Sequence, residues 1–100
     1  MSSSGNRSIV RQQNFVSFHN GNQHALGAHV IALERHVSDA WKCMVYCLTE
    51  NTCLSFNYNI NSKACELNRN TGSRDLNGLE ERPGNEYYEK VEELVIEAKR

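Results

Sequence analysis

The sequence predicts an α+β domain in which an antiparallel β-sheet cradles one central helix, with two disulfides joining helix and sheet. Three observations support this fold: helical spacing of apolar residues over residues 39–50, strict alternation over residues 54–60, and four cysteines that fall in and around these segments. A chain of 100 residues makes one domain with a modest core. Small polar domains are the kind that gain most stability from covalent cross-links.

Two short apolar runs precede the helix. Residues 14–18 are aromatic and β-branched and are predicted to form a strand, which ends in turn residues at 20–22. Residues 29–33 form a second run of strand length. Residues 1–10 are rich in Ser, Gly, Asn and Arg, so we expect a flexible tail ahead of a domain that spans residues 11–90.

The central helix is predicted over residues 39–50, which contain neither Gly nor Pro. Ser38 is a good N-cap, and Asp39 favours the positive end of the helix dipole. The spacing i, i+3, i+4 defines one buried face, formed by Ala40, Cys43, Met44, Cys47 and Leu48. Trp41 and Tyr46 lie off this stripe, at its edge or on the far side.

The segment after the helix is predicted to be a β-hairpin. Residues 54–60 alternate with the period of a half-buried strand, and residues 64–68 return as its partner. The polar members of the first strand, Ser55, Asn57 and Asn59, are expected to face away from the core. Residues 70–85 are predicted to form a long loop, residues 86–89 a last short strand, and residues 91–100 a C-terminal helix or a linker.

Four cysteines permit three disulfide pairings, and geometry distinguishes among them. A bond between Cys43 and Cys47 within one helix is unfavourable because their Cβ vectors are nearly parallel. Cys47 comes close to Cys53 once the chain reverses, whereas Cys43 faces the hairpin and Cys65. We therefore predict the pairs Cys43–Cys65 and Cys47–Cys53. A zinc site and a set of reduced core cysteines are the alternatives, although three-residue spacing on a helix fits zinc poorly.

The cysteines belong to a longer series of motifs: C-x3-C-x5-C-x-S-F-N-Y from Cys43, C-E-L-N from Cys65 and N-E-Y-Y-E from Asn85. This series resembles the PAN/Apple domain in its four-cysteine PAN form, over about residues 14–90. The resemblance implies a sheet of about five antiparallel strands around one helix, and the same two disulfides. Many apple domains have a third disulfide between their terminal strands, for which this chain has no cysteines.

Composition and motifs exclude several classes of function. A formal net charge of −1 argues against nucleic-acid binding, and no apolar run approaches the roughly 20 residues that span a bilayer. No nucleophile and base motif is present, so we predict no enzymatic activity, no catalytic residue and no cofactor. The histidines share no spacing that would indicate a metal site; they are His19, His24, His29 and His36.

The resemblance implies a non-catalytic binding module outside the cell, within a larger secreted or cell-surface protein. Its partner would be an extracellular protein or a glycan. Residues 1–8 lack the apolar core of a signal peptide. Arg69, Arg74 and Arg82 bracket the long loop and are candidate contacts for an acidic partner such as a sulfated glycan; the alternative is solvated loop charge. The rival functions are a structural spacer, a thiol-dependent enzyme and a zinc-binding module.

Overall fold

The computed structural model describes the backbone of residues 7–98 and the side chains of residue 15 and residues 23–91. Its elements in chain order are β1 (Arg7–Leu26), β2 (Val30–Glu34), α1 (Ala40–Thr49), β3 (Ser55–Asn59), β4 (Cys65–Asn68), a short 3-10 helix (Leu76–Gly78) and β5 (Leu79–Ala98). One antiparallel sheet contains all strands in the order β1-β5-β3-β4-β2. The predicted α+β fold is confirmed. Within residues 7–98, no helix has the length and apolarity needed to cross a bilayer.

Helix α1 begins at Ala40, one residue later than predicted. The side chain of Asp39 accepts a hydrogen bond from the backbone N–H of Lys42 at 3.0 Å, so Asp39 is the N-cap and the prediction of Ser38 is wrong. Asp and Ser cap almost equally well, so composition alone does not separate neighbouring candidates. The helix buries Cys43 and Cys47 completely, whereas Leu48 of the predicted buried face remains exposed.

One face of the sheet packs against α1 in an apolar core that contains both disulfides. Cys43 bonds to Cys65 with a Cα–Cα distance of 5.6 Å, and Cys47 bonds to Cys53 at 5.2 Å, which confirms the predicted pairing. These cysteines pack with Val37, Phe56, Tyr58 and Leu67. The helix is therefore bonded covalently to β4 and to the start of β3.

The opposite face of β3 is also buried, which alternation did not predict. Ser55 and Asn57 are fully buried because β3 is the central strand and other segments cover its polar side. The backbone of Leu26 lies against Asn57, and the backbone carbonyl of Asn70 accepts from Ser55 Oγ at 2.7 Å. The expectation that these polar residues face away from the helix-side core is right, but they face a second packed layer rather than water.

The outer strands are longer than predicted. Residues 7–10 of the expected tail belong to β1, while residues 1–6 lie outside the described part. The turn expected at 20–22 is a local shift of the β1–β5 register between Ser17 and His24. The loop expected at 70–85 ends early, since β5 begins at Leu79 and contains the strand predicted at 86–89.

The helix predicted within residues 91–100 is wrong over residues 91–98. Strand β5 continues there, paired with β1 up to the Arg7–Ala98 pair. A neighbouring strand supplies hydrogen-bond partners along the whole segment, which outweighs the moderate helix propensity of its sequence. Residues 99–100 lie outside the described part, and the division of the chain into tail, domain and linker stays a prediction.

Candidate functional site

A polar cavity of about 490 Å³ lies beside the loop that joins β4 to β5. Its lining combines loop residues, the turn after α1 and the facing part of β5: Asn51, Leu54, Thr71, Ser73, Arg74, Glu89, Lys90 and Val91. The volume lies within the range of about 300–1,000 Å³ that is typical of small-molecule sites. We call this cavity the polar pocket.

The polar pocket is held in shape by hydrogen bonds between β5 and the loop. The hydroxyl of Tyr87 accepts from the backbone N–H of Gly72 at 2.7 Å and donates to Glu89 Oε1 at 3.0 Å. The same carboxylate accepts from the backbone N–H of Ser73 at 3.3 Å and from the Ser73 hydroxyl. Because these groups are almost all buried, the loop is fixed at its centre rather than only at its ends.

Tyr87 acts in this network as a neutral hydroxyl. Burial raises the pKa of Tyr87 well above its ordinary value, and the nearby charge of Glu89 raises it further. The hydrogen bond from Gly72 is the second-largest influence and lowers the pKa of Tyr87, but burial outweighs it. The Tyr87 hydroxyl therefore stays protonated at physiological pH and donates a hydrogen bond to the Glu89 carboxylate.

The three arginines singled out in the sequence have different environments. Arg82 is held inside the domain by Glu66 and Glu80, with N–O distances of 2.9 Å to each. Burial by itself would lower the pKa of Arg82, but the bonds to these carboxylates outweigh it and raise the pKa. Arg69 is exposed and does not line the polar pocket, whereas Arg74 does. Arg74 is thus the one of the three that lines the polar pocket.

Glu66 links Arg82 to the buried polar layer. Asn57 Nδ2 donates to Glu66 Oε1 and to the Leu26 carbonyl, and Asn57 Oδ1 accepts from the Leu26 N–H, each at 2.9 Å. This amide therefore ties β1 to β3 and β4. Arg82 therefore has a structural role, and its side chain remains 32% exposed.

The described histidines do not form a common cluster. His29 Nε2 lies 2.8 Å from Asp75 Oδ2, and this contact fastens the β1–β2 connection to the long loop. His24 and His36 lie elsewhere, and the side chain of His19 is outside the described set. Among the residues with described side chains, no group of three or more His, Cys, Asp or Glu is arranged to hold a metal ion.

A second, apolar cavity of about 230 Å³ lies between α1 and the sheet. Its walls are aromatic and aliphatic: Phe15, Ala40, Trp41, Met44, Phe56 and Tyr88. Phe56 is in ring contact with Phe15 at 5.3 Å and with Tyr88 at 5.2 Å between centroids. Trp41 stands at the rim and is 66% exposed. We call this cavity the aromatic cleft.

The sequence singled out only some of the residues that line these two cavities. Thr71, Ser73 and Glu89 carry no motif, and only the fold brings them together across the β4–β5 loop. Trp41 did give a signal, because a large aromatic residue off the buried face of a helix must be exposed or must contact a partner.

The disulfides bear on two alternative functions. All four cysteines are bonded in pairs and fully buried, so a thiolate nucleophile has no candidate in this chain. The same bonds occupy the sulfur atoms that a zinc site would need. The arrangement suits binding: rigid walls, fixed hydrogen-bonding groups and one exposed tryptophan.

Comparison with known families agrees with this geometry. The family model of the PAN domain matches residues 9–92. PAN domains are protein- or carbohydrate-binding modules of larger proteins and are known as non-catalytic. Searches of curated proteins and of solved structures returned no match. With the match covering the helix, all four cysteines and most of the sheet, this chain belongs to the PAN domain family.

Proposed function

We propose that this PAN domain is an extracellular recognition module that binds a sugar in the polar pocket, and that it serves adhesion as part of a larger secreted or cell-surface protein. The observation that carries the proposal is the mixture of hydrogen-bond donors and acceptors around one cavity of small-molecule size. The family's known ligand classes, proteins and carbohydrates, both fit a binding module. The chemistry of this pocket favours carbohydrate.

A sugar hydroxyl both donates and accepts hydrogen bonds, so a sugar site needs both kinds of partner. Among the lining residues, the Arg74 guanidinium only donates, the Glu89 carboxylate only accepts, and the Asn51 amide does both. Leu54 and Val91 add apolar walls, which suit the C–H groups of a sugar ring. An anionic ligand would be attracted by Arg74 and Lys90 and repelled by Glu89, so the lining contains charges of both signs.

The acceptor side of the polar pocket is organised before a ligand arrives. Glu89 is 6% exposed, and its carboxylate accepts three hydrogen bonds from Ser73 and Tyr87. A carboxylate has about four acceptor positions, so one stays open toward the cavity. A group fixed in this way loses little conformational freedom on binding, which favours affinity.

The extracellular setting is supported by the covalent structure. Two buried disulfides persist in oxidising compartments and are rare in the cytosol, where thiols are kept reduced. In a domain of this size such bonds are a common substitute for a large core.

The test is a glycan array probed with the purified, disulfide-bonded domain, followed by calorimetry on the sugars that bind. Arg74→Ala is expected to weaken binding about tenfold or more, because a hydrogen bond from a charged donor is lost. Arg69→Ala is the matched control, since Arg69 is an exposed arginine outside the polar pocket. Its affinity should equal that of the wild type.

Three outcomes would contradict this proposal. A blank array together with capture of a protein ligand would replace the sugar by a protein. A blank array with no ligand of either class would favour the structural spacer. Equal losses for Arg74→Ala and Arg69→Ala would mean that the sugar binds outside the polar pocket.

A further inference from the structure

We propose that the aromatic cleft is a second, independent docking site, and that it receives a segment of a partner protein that carries an apolar side chain next to a lysine or arginine. The aromatic cleft shares no lining residue with the polar pocket. Four features of the described residues support this occupant: an exposed tryptophan, an apolar outer stripe on α1, walls poor in hydrogen-bonding groups, and nearby carboxylates.

Helix α1 has more apolar surface than its packing requires. Its buried contacts come from Cys43 and Cys47, yet Trp41, Val45 and Leu48 form a second stripe at i, i+4 and i+7 on the outward side. Trp41 is 66% exposed, and Leu48 is also exposed. Burying a tryptophan at the centre of an interface is among the strongest contributions to protein–protein binding.

The base of the aromatic cleft is rigid. Phe56 is 2% exposed and contacts the rings of both Phe15 and Tyr88. The cleft is therefore a formed cavity, and a partner side chain can enter it without rearranging the core. Its volume of about 230 Å³ suits one large apolar side chain rather than an extended ligand.

The walls of the aromatic cleft favour a protein side chain over a sugar. Among its lining residues, the hydrogen-bonding side-chain groups are the Tyr88 hydroxyl, which donates to Glu86, and the indole N–H of Trp41 at the rim. A sugar buried here would leave most of its hydroxyls without partners, and each unpartnered group is costly. An aliphatic or aromatic side chain has no such cost.

Negative charges near the aromatic cleft favour a basic residue next to the apolar side chain of the partner segment. Asp39 directly precedes Ala40 of the lining, and Glu86 accepts from the Tyr88 hydroxyl at 3.5 Å. Burial raises the pKa of Tyr58, and the charges of Asp39 and Glu86 raise it further, so both carboxylates act on the same neighbouring side chain. Their hydrogen-bond donors are uncharged, so their negative charge is available to a basic partner.

A cationic residue, Lys90, follows Tyr88 on the opposite side from Glu86. On β5, Glu86 and Lys90 stand two residues to either side of Tyr88 and share its face of the sheet. Lys90 pairs with Phe15 in the β1–β5 register. A partner segment thus has one favoured direction, with its lysine or arginine toward Asp39 and Glu86.

The experiment measures binding of two short labelled peptides, one alternating leucine with lysine and the other alternating leucine with glutamate. Trp41 is the single tryptophan of the chain, so a blue shift of protein fluorescence reports its burial directly. We expect the leucine–lysine peptide to bind at least about tenfold tighter than the leucine–glutamate peptide. Fluorescence anisotropy of the peptide label gives the affinities of the variants.

Three variants separate the contributions. Trp41→Ala should weaken binding of the leucine–lysine peptide about tenfold or more. Combining Asp39→Asn with Glu86→Gln should bring the two peptides within about twofold, while asparagine keeps the N-cap of α1. Leu76→Ala is the control, because Leu76 is 62% exposed but lies on the 3-10 helix outside the cleft.

Several results would overturn the proposal. These are failure of the leucine–lysine peptide to bind, equal binding of both peptides to the wild type, or an undiminished affinity in Trp41→Ala. A wild-type dimer in solution that Trp41→Ala converts to a monomer would assign the cleft to a second copy of the chain. Sugar binding lost in Trp41→Ala but kept in Arg74→Ala would assign the sugar to the cleft.

Discussion

The two faces of the sheet are stabilised by different chemistry. The helix side has two disulfides and an apolar cluster around Phe56 and Leu67. The opposite side buries amides, hydroxyls and a carboxylate, with Asn57 and Tyr87 at the centre of its hydrogen bonds. Loss of a disulfide removes a covalent constraint between helix and sheet, whereas loss of one buried hydrogen-bonding group leaves its partner unsatisfied. The polar face should therefore be sensitive to single-atom changes and the helix side to loss of its cross-links.

The largest effect is expected from removing the Cys43–Cys65 bond by alanine at both positions. Its sequence separation of 22 corresponds to about 3.4 kcal/mol of chain entropy, against about 2.2 kcal/mol for Cys47–Cys53 with a separation of 6. Urea unfolding of the two paired variants under non-reducing conditions measures the difference. Equal losses of unfolding free energy would mean that core packing, not loop closure, dominates on the helix side.

A comparable loss is expected from one amide on the polar face. Asn57→Ala removes three hydrogen bonds and leaves the N–H and carbonyl of Leu26 without their partner, so we expect about 3 kcal/mol of destabilisation. Thermal and urea unfolding measure it, and Asn77→Ala, at an exposed position, should change stability by less than about 0.5 kcal/mol. A loss below about 1 kcal/mol for Asn57→Ala would show that water can replace the amide.

The smallest effect comes from a single hydroxyl and depends on pH. Tyr87→Phe should cost about 1–2 kcal/mol near neutral pH, because Gly72 and Glu89 each lose a partner. The raised pKa of Tyr87 keeps its proton in the folded state, whereas unfolded tyrosine ionises above about pH 10. The unfolded state then binds fewer protons, so stability falls as pH rises above about 10.

The alkaline loss should be shallower in Tyr87→Phe than in the wild type. Tyr58 and Tyr88 also have raised pKa values, so part of the decrease in stability with rising pH will remain in the variant. Tyr46→Phe, at an exposed position, serves as the control and should follow the wild-type curve. Parallel curves for Tyr87→Phe and the wild type would show that Tyr87 does not contribute to this pH dependence.

The helix side could be predicted from the sequence because its determinants are local. Helical spacing placed Cys43 and Cys47 on one face, and alternation identified β3 with Phe56 and Tyr58 directed toward that helix. From there, disulfide geometry left one favourable pairing. Each step used residues close in sequence, for which periodicity is informative.

The polar face and the ligand cavities could not be predicted in the same way. Asn57 is buried because its side-chain amide forms hydrogen bonds with the backbone of Leu26, 31 residues earlier in the chain. No local sequence pattern indicates this long-range contact. Likewise, Glu89 becomes part of a pocket only when the β4–β5 loop folds back on Tyr87. The residue type alone predicts that an asparagine or glutamate in a strand is exposed to solvent. Here long-range hydrogen bonds bury these side chains instead.

The β1–β5 pair has a mechanical consequence if, as proposed above, the domain is part of a longer adhesive protein. Arg7 and Ala98 are antiparallel partners at the same end of the sheet, so tension on the two strands would pull them apart one hydrogen-bonded rung at a time. Opening of this kind yields at low force. Force is then transmitted through the Cys43–Cys65 bond. The residues between these two cysteines therefore stay folded while the outer strands extend. The domain would behave as a short extensible link whose cross-linked centre does not unravel.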